Sequence, residues 1–252
     1  MTRTRRRNSR TVIPLTRKKK VAGNSDLTAM FAGLTPTEQA LFALLEGIGK
    51  FEAALEPTRH FRAVIFGSAR VKPGTLIYEE TRRLACELAR HDINIVTGGG
   101  PGVMEAANRG ALECANRKVL SFGICIEQIN RNERPNEYLR RAYRHRHFCT
   151  RLHQFARLGA AGAFVVMPGG VGTMLELALI LQLLQVEHLR DVPLIAVGDM
   201  WEKYKRWAVE SMTSGGYAQF DEIERLTLVP TVDEALPIIF SAHERFKIRK
   251  AG

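Results

Sequence analysis

The segment "VVMPGGVGTMLELALILQLLQ", residues 165–185, decides the fold class. It opens with apolar residues typical of a buried strand, and a Pro-Gly-Gly turn follows them directly. The remainder has the length and apolar content of a buried helix. A strand that passes through a tight glycine turn into a helix is the repeating unit of a parallel sheet.

Strand and helix patterns alternate on both sides of this segment. Strand patterns occupy residues 61–67, 93–97, 119–126, 163–167, 192–198 and 225–230. Helical patterns occupy residues 78–91, 102–116, 148–160, 173–189, 200–216 and 231–246. We therefore predict an α/β fold, a Rossmann-like doubly wound parallel sheet with helices on both faces.

Charge divides the chain into three parts. Nine Lys or Arg residues and no acidic residue fall within residues 1–20, and without them the net charge of +11 drops to +2. Like charges repel, so residues 1–25 are predicted to form a disordered basic tail, which either contacts a polyanion or is simply solvated. Residues 26–58 are predicted to form an N-terminal helical segment. Residues 59–252 are predicted to form the Rossmann-like nucleotide-binding catalytic domain.

Composition also bears on the compartment. No run of about 18 apolar residues occurs, so neither a membrane-spanning helix nor a membrane partner is expected. The basic N-terminus has no apolar stretch behind it and does not resemble a secretory signal. Cys86, Cys114, Cys125 and Cys149 lack CxxC spacing and are expected to be small buried thiols rather than a disulfide framework. These features predict a cytoplasmic protein.

Three predicted strands end in polar, glycine-rich sequences. These are "FGSAR" (66–70), "TGGGPGVME" (97–105) and "MPGGVGTMLE" (167–176). Ligands of open parallel sheets bind at the carboxyl ends of the strands, so we expect the three loops to converge on one crevice. Neither glycine-rich loop fits GxGxxG or GxxxxGK[ST], which disfavours a dinucleotide dehydrogenase or a P-loop NTPase.

The third loop has the composition of a phosphate site. Its glycines let backbone N–H groups approach an anion, and the helix that follows adds free N–H donors. The alternative is a tight strand-to-helix turn without a ligand. The predicted phosphate-binding residues are Gly169, Gly170, Gly172 and Thr173.

Glu176 lies close to this predicted phosphate site, on what we expect to be the first turn of its helix. The helix dipole favours a carboxylate there, which would explain Glu176 without any chemistry. The other interpretation is catalytic, because a carboxylate beside a bound phosphate helps when positive charge develops on the ligand. Cleavage of an N-glycosidic bond develops such charge on the sugar, and a carboxylate can stabilise it while activating water.

The three loops resemble the motifs of the LOG ("lonely guy") family of nucleoside 5′-monophosphate phosphoribohydrolases. "PGGVGTMLE" fits the family's PGGxGTxxE motif, and "GSAR" and "TGGGPGVMEAANRGA" are similar to two segments of its bacterial branch. The resemblance covers roughly residues 60–235. It implies that Glu176 is catalytic, and it implies nucleotide contacts for Ser68, Gly99, Gly100, Gly102 and the four residues of the predicted phosphate site.

The resemblance also implies a catalytic arginine on the helix before the PGG strand, here "FCTRLHQFARLG" (148–159). Arg151 is the natural candidate, although ungapped alignment would place His153 there. Two residues rotate a helix by about 200°, so the difference matters. We take Arg151 as the predicted residue and His153 as its competitor.

Other features leave alternatives open. Glu105 either faces the ribose hydroxyls or only begins its helix. The segment 131–151, with seven arginines and two acids, either closes over the phosphate or contributes across a dimer, or it is a solvated charged face. The resemblance implies a homodimer and no cofactor. No metal is expected either, because His145, His147 and His153 have no carboxylate spaced to complete a site.

These inferences predict a hydrolase that cleaves nucleoside 5′-monophosphates, AMP-like or cytokinin riboside monophosphates, into free base and ribose 5-phosphate. Action on cytokinin nucleotides would make it an enzyme of cytokinin activation. The alternative is a protein of the same fold that binds a nucleotide or a molybdenum-cofactor-type pterin without cleaving it, and the displaced arginine keeps that alternative open. Nucleic-acid association is a third hypothesis, supported by the basic tail alone.

Overall fold

The computed structural model describes residues 34–41, 44, 60–114, 118–127 and 134–251. From residue 60 onward the chain forms a sheet of seven parallel strands. In chain order they are β1 (Arg62–Phe66), β2 (Asn94–Thr97), β3 (Ser121–Ile126), β4 (Arg141–His145), β5 (Ala163–Val166), β6 (Leu194–Val197) and β7 (Leu226–Val229). Their spatial order is β4-β3-β2-β1-β5-β6-β7, so the direction of winding reverses between β1 and β5. The predicted α/β fold is confirmed.

Helices cover both faces of this sheet. They are α1 (Leu76–Arg90), α2 (Val103–Glu113), α3 (Phe148–Gly159), α4 (Val171–Gln185), α5 (Met200–Trp207), α6 (Phe220–Glu224) and α7 (Val232–Ala251). Apolar residues of α1, α2 and α7 join one core cluster, and those of α3, α4 and α5 join the other. A π-helical segment, Ala208–Thr213, extends α5. Pro237 lies inside α7, which continues past it.

The central strands are continuous apolar runs because both of their faces are covered. Val64 and Ile65 of β1 point to opposite sides of the sheet and belong to different core clusters, and both are fully buried. Burial of one such side chain stabilises the fold by roughly 1.5–3 kcal/mol. This two-sided burial fixes β1 and β5, whose carboxyl ends flank the reversal point.

The strand β4 was not predicted. It lies within the basic segment 131–151, and residues 141–144 are exposed at the edge of the sheet. Its pairing with β3 runs from Phe122 opposite Arg141 to Ile126 opposite His145. An edge strand with solvated side chains has no apolar run, so its sequence does not indicate a strand. The exposure of residues 141–144 in the single chain agrees with each of the three interpretations of this segment.

The cysteine prediction was partly wrong. Cys86 of α1 and Cys114, directly after α2, form a disulfide with their Cα atoms 5.4 Å apart. Cys149 is exposed, whereas Cys125 is buried as expected. The pairing follows from the packing of α1 against α2, which joins residues 28 positions apart and leaves no signal in local spacing.

Residues 36–41 form a short helix in the N-terminal part of the chain. The Thr35 hydroxyl accepts from the Glu38 N–H over 3.4 Å, and the Glu38 carboxylate accepts from the Thr35 N–H over 2.8 Å. This reciprocal pair is a capping box. The basic tail, residues 1–25, and most of the predicted segment 26–58 lie outside the described residues.

Candidate functional site

The loops after β1, β2 and β5 meet at the carboxyl edge of the sheet. The Ser68 N–H donates to the Pro168 carbonyl over 3.1 Å, and the Ser68 carbonyl accepts from the Val103 N–H over 3.0 Å. Gly102 permits this contact, because its φ of +72° is left-handed and a Cβ there would overlap the Ser68 carbonyl oxygen. The three loops therefore form one crevice at the reversal point between β1 and β5.

Asn136, between β3 and β4, holds the glycine-rich loop after β2. Its side-chain amide donates to the carbonyls of Gly99 and Gly100 over 3.1 and 2.9 Å, and to Asn108 Oδ1 over 3.0 Å. Its backbone N–H donates to the Gly99 carbonyl over 2.8 Å. The sequence analysis missed this residue, because the contacts join positions about 36 residues apart and no motif marks them.

A buried polar network supports the same loop from below. The Thr97 hydroxyl accepts from the Gly99 N–H over 2.9 Å and donates to Asn108 Oδ1 over 2.7 Å. Asn108 in turn donates to Ser121 Oγ over 2.7 Å. Removing one partner would leave a buried polar group unsatisfied, at a cost of about 1–3 kcal/mol. The loop is therefore held in one conformation before any ligand arrives.

Arg151 enters the crevice from α3. Its Nε donates to the Ile124 carbonyl on β3 over 2.8 Å, and its Nη1 donates to Glu176 Oε1 on α4 over 3.2 Å. The guanidinium carbon lies 4.9 Å from the centre of the Phe155 ring. A Cβ at Gly98 would overlap Nη2, so the missing side chain there makes room for the guanidinium. Contacts from β3, α4, its own helix and the glycine-rich loop thus fix Arg151.

Glu176 belongs to the second turn of α4, not the first as predicted. The helix begins at Val171 and has no acidic residue in its first turn. The dipole effect fades beyond that turn, so the dipole does not explain Glu176. The side chains of Arg151 and Glu176 are only 11% and 12% exposed, and breaking such a pair is costly because it leaves a buried charge alone.

Of the two candidates on α3, Arg151 is the residue whose guanidinium contacts Glu176. His153 lies two positions further on and is partly buried. The geometry therefore brings together the two residues that the sequence proposed as catalytic.

The predicted phosphate loop is open to solvent. Gly170, Val171 and Gly172 are exposed, and a Cβ at either glycine would meet open space. The N–H groups in the first turn of a helix have no acceptor within that helix and are available to an anion. Thr173 differs, because its side chain is buried against Gly169 under the loop.

Glu105 lies in the first turn of α2, where its carboxylate accepts a hydrogen bond from the Tyr78 hydroxyl over 2.8 Å. Burial raises the pKa of Tyr78 to about 12, and the bond to Glu105 adds to the rise. The Tyr78 hydroxyl therefore stays protonated and remains a donor. This contact ties Glu105 to α1, on the face of the sheet opposite α3 and α4.

Positive charge surrounds the crevice at the ends of β3 and β4. Burial raises the pKa of the Cys125 thiol, and the charges of Arg151 and Arg144 act in the opposite direction. Burial lowers the pKa of His145, and the charge of Arg151 lowers it further. Arg151 is paired with Glu176, and Arg144 lies close enough to act on the Cys125 thiol, so positive side chains border the crevice on this side.

Within the residues that the structure describes, no group of three His, Cys, Asp or Glu side chains is placed to hold a metal ion. No helix in that part of the chain is long and apolar enough to cross a membrane.

Comparison with known families identifies the chain. A family model described as "Possible lysine decarboxylase" matches residues 104–239, more than half of the sequence. The chain belongs to this family, the LOG family. The part of this LOG-family chain that the model matches contains Glu105, Arg151 and Glu176, whereas Ser68 and the glycine-rich loop after β2 precede it.

Curated relatives extend the comparison. The pyrimidine/purine nucleotide 5′-monophosphate nucleosidase of Escherichia coli K12 is 30% identical over 141 residues. The same match is found with the enzymes of strains O6:H1 and O157:H7. The match spans 54% of this LOG-family chain but only 30% of the length of the relatives.

Solved structures support the fold. The molybdenum cofactor binding protein of Rippkaea orientalis superposes with a TM-score of 0.55 at 18% identity, covering 73% of this chain and 98% of its own. The molybdenum cofactor carrier protein of Chlamydomonas reinhardtii gives 0.51 at 16% identity, covering 74% and 99%. Likeness at this identity shows a shared Rossmann-like fold alone.

Proposed function

We propose that this LOG-family chain hydrolyses the N-glycosidic bond of nucleoside 5′-monophosphates. The observation that carries the proposal is the buried pair of Arg151 and Glu176, 3.2 Å apart, beside three joined loops at the reversal point of the sheet. The curated relatives are named as nucleotide 5′-monophosphate nucleosidases, which supports the same class of reaction here.

The phosphate would bind at the start of α4. Exposed N–H groups near Gly170 and Gly172 offer donors without a side chain in the way. Thr173, with its buried side chain, would contribute through its backbone and by packing under the loop. The phosphate would lie at the first turn of α4, and Glu176 belongs to the next turn of the same helix.

Glu176 would act on the sugar. As the bond between C1′ and the base breaks, the sugar gains oxocarbenium character, which the carboxylate stabilises. The same carboxylate takes a proton from the attacking water, whose oxygen forms the new bond to C1′. The base leaves with the bonding electron pair and is protonated on release, giving free base and ribose 5-phosphate. Arg151 orients Glu176 and adds positive charge for the phosphate.

The remaining predicted contacts would come from the other two loops. Ser68, Gly99, Gly100 and Gly102 belong to these two loops and are proposed to contact the nucleotide. Glu105 would reach the ribose hydroxyls while accepting from Tyr78, since a carboxylate has about four acceptor positions.

The wider setting of the protein is part of the same proposal. A homodimer would cover apolar residues that α4 exposes, such as Val171 at 89% and Leu175 at 47%. The basic tail would contact a polyanion. The protein would act in the cytoplasm, where the Cys86–Cys114 pair would be in its reduced form. The most specific part of the proposal is a preference for cytokinin nucleotides over AMP, which would give the protein a role in cytokinin activation.

The decisive experiment is incubation of the purified protein with a panel of nucleoside 5′-monophosphates, followed by chromatography for free base. Wild type should release base, and Glu176→Gln should release it roughly 10³-fold more slowly. The exposed Glu210→Gln on the π-helical segment is the matched control and should keep full activity. Full hydrolysis by Glu176→Gln would sink the mechanism. Tight nucleotide or pterin binding without turnover would instead establish the carrier alternative.

A second pair of variants separates the candidates on α3. Arg151→Lys keeps the charge but loses the planar fork that contacts both Ile124 and Glu176, so kcat should fall. His153→Asn should have the smaller effect. The reverse order of effects would transfer the catalytic role to His153.

A further inference from the structure

A cavity of about 510 Å³ opens at the opposite edge of the sheet from the crevice. Pro193 directly precedes β6 and Arg225 directly precedes β7, so the cavity lies at the amino ends of these strands. A four-residue strand spans about 13 Å, which separates the cavity from the loops at the carboxyl ends. We call it the arginine cavity, and it is lined by Leu184, Asp191, Val192, Pro193, Arg225, Arg245 and Arg249.

The arginine cavity has an excess of positive charge. Arg249 Nη1 lies 3.5 Å from Asp191 Oδ2, and this exposed pair holds the two side chains together only weakly. Arg245 donates to the neutral Ser241 hydroxyl over 2.8 Å. Buried Arg225 Nε has no hydrogen-bond acceptor within the described part of the chain. Among the residues that line the cavity, three guanidinium groups face one carboxylate, that of Asp191, and the charge of Arg225 also acts on Glu222 outside it.

A second cavity of the protein does not have this excess of positive charge. The cavity beside α5, about 310 Å³, is lined by two acidic and two basic side chains, Glu202, Glu210, Lys205 and Arg206. Its charges balance, and Arg206 already donates to Glu202 over 2.7 Å. The arginine cavity, by contrast, is lined by three guanidinium groups and one carboxylate.

We propose that the arginine cavity binds a phosphomonoester of nucleotide size, at a site separate from the catalytic crevice. Guanidinium forks match phosphate oxygens in pairs, and three arginines, Arg225, Arg245 and Arg249, line this cavity. Leu184, Val192 and Pro193 give an apolar wall for the uncharged part of the ligand. The volume lies within the range of about 300–1,000 Å³ that is usual for small-molecule sites.

The test must exclude phosphate bound at the start of α4. Gly172→Asp supplies that background, because a Cβ there meets open space and the added carboxylate repels an anion. Full-length Gly172→Asp is titrated calorimetrically with inorganic phosphate and with AMP, alone and combined with Arg249→Glu. Lys203→Glu is the control, since it makes the same change of charge at an exposed site on α5.

Both ligands should bind Gly172→Asp, and Arg249→Glu should weaken that binding at least tenfold while Lys203→Glu changes it less than twofold. AMP binding more tightly than phosphate would show that the apolar wall contributes, and equal affinity would make free phosphate the ligand and overturn the nucleotide-sized assignment. Hydrogen exchange should show protection of residues 186–193. No binding, or equal loss in the control, would overturn the site.

Arg225→Lys provides a second test of the arginine cavity, in which the charge of the side chain does not change. It keeps the positive charge and loses the fork, so phosphate binding should weaken without a change in circular dichroism or melting temperature. The outcome is independent of the proposed hydrolysis, because base release by the wild type is measured separately. Failure of one proposal therefore leaves the other standing.

Discussion

Gly98→Ala should disable the catalytic pair without harming the fold. A Cβ at Gly98 would overlap Arg151 Nη2 and would lie 2.6 Å from Met104 Sδ. Both obstructing atoms are the far ends of flexible side chains, and the φ of Gly98 is not left-handed. The backbone therefore accepts the methyl group, and the guanidinium has to move.

The size of the effect follows from the contact distances. Carbon and nitrogen atoms that are not bonded approach to about 3.5 Å, so the guanidinium must retreat by roughly 1 Å. The Nη1 to Oε1 distance would grow from 3.2 Å to beyond hydrogen-bond range. Loss of a charge-assisted hydrogen bond costs about 2 kcal/mol, which corresponds to roughly 30-fold in rate. The unfolding free energy should fall by a similar amount, about 2 kcal/mol, because the pair is largely shielded from water, and most of the stability of a typical domain would remain.

The assay is steady-state base release from AMP, paired with thermal unfolding of the same samples. The control is Gly98→Ala in an Arg151→Lys background, where the slimmer side chain removes the overlap and the methyl should cost less than about threefold. Wild-type kcat in Gly98→Ala would refute the placement of Arg151. An equal fall in both backgrounds would show that the methyl acts through some other contact.

Three further predictions concern the phosphate loop, the disulfide and the pH dependence of stability. Gly172→Asp should stabilise α4 by about 1 kcal/mol and raise the KM for AMP at least tenfold, as measured by thermal unfolding and by Michaelis kinetics. Reduction of the Cys86–Cys114 bond, which closes a loop of 28 residues, should lower the free energy of unfolding by about 3–4 kcal/mol in urea titrations. Burial lowers the pKa of His145 and of His243 from 6.5, so the fold favours their neutral forms. Stability should therefore be full above about pH 6.5 and fall as the pH drops through that value, and His243→Phe should lessen the loss between about pH 7.5 and about pH 5.5 in thermal melts.

The sheet and its loops could be predicted because their signals are local. Strands buried on both faces are continuous apolar runs. The Pro-Gly-Gly turn after β5 indicates the start of α4 to within a few residues. The meeting of the three loops then follows from parallel topology, since their strands all end at one edge. The position of Glu176 beside the glycine sequence already made it a candidate, the family resemblance supported it, and Arg151, which the sequence favoured over His153, is the residue whose guanidinium contacts it.

Features that depend on distant contacts escaped prediction. Asn136 acts through carbonyls about 36 residues away, and the disulfide depends on how α1 lies against α2. The exposed strand β4 has no apolar pattern, because its side chains stay in water. Glu176 was assigned to the wrong turn because α4 begins at Val171, inside the glycine sequence, rather than after it.

The hydrogen bonds of Ser68 have a consequence for redesign. The Ser68 N–H donates to Pro168 in the loop after β5, and the Ser68 carbonyl accepts from Val103 at the end of the loop after β2. An insertion in any one of these loops would therefore displace the others, so the crevice has little tolerance for changes in length there. Residues 134–140 contact the crevice through Asn136 but do not take part in the Ser68 bonds. Changes of length are therefore better placed in this stretch, with Asn136 kept unchanged because it holds the glycine-rich loop.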